Sequence, residues 1–151
     1  MKILIIADDQ ENVEPLYNLI KGYHSGDIDI HAVKTKFEYK NRFLIHLGSR
    51  MFFVNIADIA YFYVSEKIVY LVNSDGARYP VDYSLEKIQQ MINPSNFFRV
   101  NRRVICSTLA IREIKTHINS RLKIILSVGN YLDEVVVSRE KVTAFKEWVE
   151  G

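Results

Sequence analysis

The sequence predicts a mainly β (α+β) protein. From residue 43 onward, short apolar runs recur at close spacing with turn residues between them, the pattern of an antiparallel sheet protein. Within that stretch, helix signals occur near residues 85–92 and after Ser138, which makes the helices two and short. Ahead of it, an apolar run, a helical pattern and a second apolar run add a small β-α-β-like appendage at the amino terminus.

The opening "KILIIA" at 2–7 is continuously apolar, as a strand buried on both faces should be, and it ends on Asp8 and Asp9. Asn12 can cap a helix that tolerates Pro15 in its first turn and repeats Val13, Leu16, Ile20 and Tyr23 along one side. "IDIHAV" at 28–33 reads as another strand, and the aperiodic 34–42 as a linker. The expected organisation is a segment at 1–33, that linker, and a β-rich domain at 43–151. Within the domain, "FLIHL" turns into "MFFVNI", and "IAYFYV" at 59–64 pairs with "IVYLV" at 68–72 through Ser65-Glu66-Lys67. Pro80 in "ARYPV" requires an edge strand because it has no N–H to give a neighbour. Ser84 caps a helix over 85–92 with Leu85, Ile88 and Ile92 buried, and Asn93-Pro94 stops it. "FFRVNRRVI" at 97–105, "IREIKTHI", "RLKIILSV" and "EVVVS" supply the remaining strands. Ser138 is then expected to cap a last helix lined by Val142, Phe145 and Val149, with Trp148 flanking.

Net charge is only +2, but it is segregated. Residues 1–33 carry −4, whereas 97–125 carry +6, with seven basic residues against Glu113 alone. The histidines at 24, 31, 46 and 117 lack metal-ligand spacing, and Cys106, the single cysteine, reads as a small core residue. Phosphate-cradling glycine motifs are absent from the sequence. An enzyme is therefore not expected, nor a cofactor. No apolar run is long enough to span a bilayer, and the expected location is cytoplasmic.

"FFRVNRRVI" sets Arg99, Arg102 and Arg103 inside an apolar run. Strict two-residue alternation fails at 101–103, so a turn or bulge around Asn101 and Arg102 would keep Phe97, Phe98, Val100, Val104 and Ile105 for cores and project the cations outward. Arginine at such a corner suits phosphate, because its planar fork donates two parallel hydrogen bonds and keeps its charge.

Residues 42–150 resemble a LytTR-type DNA-binding domain, the output module of many bacterial response regulators. The resemblance rests on "RFLIHLGSRMFFVNIADIAYFY", "VDYSLEKI", "FFRVNRRVI", "NSRLKIIL" and "VVVSREKVTAFKEWV", in family order. It implies an elongated stack of antiparallel sheets that inserts loops into successive grooves of double-stranded DNA, at promoter repeats and as a homodimer. It further implies that Arg139 reads bases and Arg102 holds phosphate. Asn101 stands where the family often has His, and Ser107 where it often has a base-reading Asn. Lys67 occupies another groove-approaching segment, beside Glu66, which would repel phosphate. From charge alone, Arg99, Arg103, Arg121 and Lys123 join the list as phosphate contacts. "KILIIADDQENVEPL" resembles the first strand and helix of a receiver domain, in which two carboxylates like Asp8 and Asp9 hold Mg²⁺ beside a phosphorylated aspartate. Here "IDIHAV" runs straight into the linker, so no acceptor is expected and a sensor kinase is not expected to phosphorylate this chain. Two alternatives have the same sequence basis: a non-specific nucleic-acid binder, or a protein-interaction module docking through exposed Phe62, Tyr63 and Tyr79.

Overall fold

The computed structural model describes residues 39–151, the strands at 2–7 and 29–34, and the helical positions Asn18, Leu19 and Gly22. The chain divides into two units, Met1–Glu38 and Tyr39–Gly151. In the first, β1 (Lys2–Ala7) and β2 (Asp29–Lys34) pair in parallel, from Lys2 opposite Asp29 to Ala7 opposite Lys34. Parallel strands need a crossover between them, in keeping with helical residues in the interval. The expected cap Asn12, Pro15 and the Asp8-Asp9 pair lie outside the described residues.

The second unit is built in three layers. A hairpin of β3 (Arg42–Leu47) and β4 (Arg50–Asn55) forms the first with helix α1 (Leu85–Met91). The middle layer is a five-stranded antiparallel sheet of β5 (Ile59–Ser65), β6 (Ile68–Asn73), β7 (Arg78–Val81), β8 (Phe97–Asn101) and β9 (Val104–Ser107), ordered β7-β6-β5-β9-β8. The third comprises β10 (Ile111–His117), β11 (Arg121–Val128) and β12 (Tyr131–Val137) with helix α2 (Val142–Glu150).

Both faces of the middle sheet are covered, which explains its near-continuous apolar strands. Phe62, Leu71, Phe97 and Ile105 join one core with Phe43 and Ile45 of the hairpin and Ile88 of α1. Tyr61, Val72, Val100 and Cys106 join the other with Ile124, Leu126, Val137 and Phe145. Cys106 is thus a core thiol, its ionisation pushed up to about 12 by burial. Pro80 does lie on edge strand β7, and the Ser84 hydroxyl does cap α1, accepting from the Lys87 N–H at 3.1 Å.

Three expectations are corrected. Phe62 is fully buried, and Tyr79 and Tyr63 are half-buried against Phe52 and Tyr70, so none of the three is the freely exposed aromatic expected. Ser138 does not cap the last helix: its N–H and hydroxyl both donate to the Val100 carbonyl, and a 3-10 turn at Arg139–Lys141 precedes α2. On α2 itself, Trp148 packs on Phe98 and Phe145, while Val149 is exposed.

Candidate functional site

Strand register gathers four connections at one end of the second unit. Ser65 pairs with Ile68 across the β5–β6 turn, whose two residues, Glu66 and Lys67, have φ of 49° and 68°. Two successive left-handed residues match the twist of a two-residue hairpin. Tyr63 opposes Val104, and the Val64 N–H bonds the Arg103 carbonyl at 2.9 Å, which brings the β8–β9 turn beside the first. That turn is Arg102-Arg103, one residue later than the break expected at Asn101-Arg102, with a bulge between Arg99 and Asn101. The Ser138–Val100 bonds then bring in the β12–α2 junction. Finally, Leu122 opposes Val137 and His117 opposes Arg121, so the β10–β11 turn, with Asn119 and Ser120 both at φ 58°, stands beside the junction.

Lys67, Arg102, Arg103 and Arg139 are exposed at this end, and Arg121 is partly so. Among the described residues none of the five forms an ion pair. Three carboxylates lie nearby, one of them Glu86, which lines a pocket with Lys67 and Arg102. Glu66 shares the turn with Lys67, and Glu140 is held below the usual carboxylate range by its own backbone N–H, then by the Ser138 hydroxyl, with smaller help from Lys141 and Arg102.

Other expected contacts are placed differently. Arg99 points into the structure: its Nη2 lies 3.0 Å from Glu86 and 2.8 Å from the Arg102 carbonyl, its Nε bonds the Asn101 carbonyl, and its side chain is 17% exposed. It clamps the β8–β9 turn. Asn101 is a brace, since Nδ2 donates to the Val136 carbonyl and Oδ1 accepts from the Arg103 N–H, each at 2.8 Å. One amide therefore ties the Arg102-Arg103 turn to the strand leading into Arg139. Lys123 pairs with Glu134 at 3.0 Å within the β11–β12 ladder. Ser107 is 2% exposed, opposite Phe97 and away from the turn, and its hydroxyl accepts from the Leu109 N–H at 3.2 Å. The two last residues sit in ladder and core because strand pairing, invisible in a charge count, decides which side of a strand is covered. The bracing role of Asn101 has no sequence signal beyond its place at the failed alternation.

These loops and cations define a class: a β-rich domain that presents exposed cations on turns rather than on a helix. The family model of the LytTr DNA-binding domain matches residues 49–150, and the chain belongs to that family. Among solved structures, it is similar to a chain described as the LytTr DNA-binding domain of a response regulator from Bacillus cereus. That match has 20% identity and a TM-score of 0.64, covering 74% of this chain and 99% of that one. A search of curated proteins finds no match. Among the described residues there is no cluster able to hold a metal ion, and no helix long and apolar enough to cross a membrane.

Proposed function

We propose that this chain is a sequence-specific transcriptional regulator whose Tyr39–Gly151 unit engages double-stranded DNA through the four-turn end. The carrying observation is the convergence there of five cations without ion-pair partners among the described residues, on connections fixed by strand register. Arg139 reads a base edge, where its fork matches guanine O6 and N7, while Arg102, Arg103, Arg121 and Lys67 neutralise phosphates. Arg99 and Asn101 act behind them by holding the turn. Cytoplasmic binding as a homodimer at promoter repeats, in a bacterial two-component setting, completes the reading. The parallel β1–β2 pair supports a receiver-derived first unit, and the passage of the sequence from "IDIHAV" straight into the linker, with no third apolar run to end on an acceptor aspartate, supports one without a phosphoacceptor.

Selection of random duplexes by the purified chain, followed by titration against salt, tests this. An enriched motif repeated at about one helical turn is expected. Arg139→Ala should lose about 1–3 kcal/mol at one base position while retaining non-specific binding. Equal loss on every sequence would remove Arg139 from base reading, and selection without enrichment would reduce the function to non-specific binding.

A further inference from the structure

Between α1, strand β8 and α2 lies a cavity of about 290 Å³. Phe97, Phe98, Ile105 and Trp148 supply its apolar lining, and Arg99 and Lys141 its charged members. The Trp148 indole is held in place by its N–H bond to the Pro94 carbonyl at 2.9 Å, with its ring 5.2 Å from that of Phe98. The two cations are not equivalent. Arg99 already has Glu86 as its counter-ion, whereas Lys141 is half-buried and forms no ion pair among the described residues. Lys141 thus brings to an aromatic-lined cavity a cation with no carboxylate paired to it among the described residues, and an anion with a flat apolar body complements both features. The volume admits a single ring with a short polar group and is small for a nucleotide.

We propose that this cavity binds a small aromatic carboxylate, with Lys141 as its counter-ion and Phe98 and Trp148 against its ring. Resting on the DNA reading above, the site is also regulatory. Lys141 closes the 3-10 turn that begins with Arg139, and Arg99, on another wall, holds the Arg102 carbonyl. An occupant therefore touches the supports of two DNA-facing arginines at once.

Trp148 is the only tryptophan, so the full chain labelled with ¹⁵N gives one indole N–H signal at the cavity. Titration with benzoate should move that signal saturably, and benzamide should bind at least tenfold more weakly. Lys141→Met and Lys141→Gln, checked for folding by the rest of the spectrum, should both erase the preference for the acid. No saturable shift, or an equal response to benzamide, overturns the site. Saturating benzoate should change affinity for the selected duplex at least threefold. Unchanged affinity with the indole signal saturated overturns the regulatory part alone. Failure to bind any duplex defeats the DNA reading, and the indole titration still decides the site.

Discussion

The two ends of the β-rich unit use arginine in opposite ways. At the end holding the β6–β7 and β11–β12 turns, Arg78 bonds the Tyr63 and Tyr131 hydroxyls and Asp133 at 3.2–3.3 Å. Asp133 also accepts from the Tyr61 hydroxyl, and Tyr131 donates to the Gly76 carbonyl. This network crosses from the middle sheet to the third layer and shuts that end. At the other end Arg102, Arg103 and Arg139 have no such partners among the described residues. The same side chain is a structural staple where acceptors surround it and a free donor where they are withheld, so the number of internal partners separates the roles better than exposure does.

The largest effect should come from breaking the closed end. Gly129 sits at φ +55° and donates to the Ser74 carbonyl at 2.7 Å, and a Cβ there would meet the Asp75 carbonyl oxygen at 2.5 Å. Backbone on both sides leaves no room to relax. Gly129→Ala should cost on the order of 2–4 kcal/mol by strain and displacement of the two turns. Denaturant unfolding would measure it. An unchanged midpoint would mean the turns move apart freely.

Alkaline pH should weaken the same core. Burial raises the Cys106 thiol from near 9 to about 12, and burial first, then the Asp133 hydrogen bond and charge, raise the Tyr61 phenol. Both folded pKa values exceed the unfolded ones, so the folded state keeps protons that the unfolded chain releases. Stability is then fully present below about pH 9 and falls from about 9 to about 12 as the unfolded groups ionise. Unfolding midpoints across that range should slope downward, and Cys106→Ala should flatten the lower part of the slope. An identical slope in the variant would assign it elsewhere.

At the open end, a residue that touches no DNA in the proposed arrangement should matter almost as much as Arg139. Asn101→Ala removes the acceptor of the Arg103 N–H and the donor to Val136 together, freeing the turn from the strand that leads into Arg139. Specific affinity should fall by about 1–2 kcal/mol, because two contact groups lose their fixed spacing. The salt slope should stay as it was, since no cation is removed. A changed slope with intact specificity would make Asn101 a direct contact instead.

How much of this was legible beforehand follows from the kind of information involved. Periodicity and punctuation placed the strands, Ser84 as a cap and Pro80 at an edge, since these depend on residues a few positions apart. The charge count pointed to one third of the chain, but it treated Arg99, Arg102 and Lys123 alike. What separates them is Glu86 on α1, 13 positions from Arg99, and Glu134 on the neighbouring strand of Lys123, partners supplied only by tertiary pairing. Ser138 misled for a similar reason: a Ser before a helix signals a cap, yet a carbonyl on β8, 38 positions back, takes its hydroxyl.

The smallest effect gives the sharpest contrast between the ends. Arg102→Ala removes one exposed cation whose side chain forms no ion pair among the described residues, so it should leave the unfolding midpoint within about 0.5 kcal/mol of the parent. It should lower the magnitude of the log–log salt slope of DNA binding by about 0.9, one phosphate contact. Arg78→Ala should do the reverse, because it strips two tyrosine hydroxyls and Asp133 of a shared donor: stability falls by about 1–3 kcal/mol and the salt slope is kept. Measuring both quantities on both variants tests the division directly. If Arg78→Ala also flattened the salt slope, DNA would reach the closed end, and internal partners would no longer distinguish a staple from a contact.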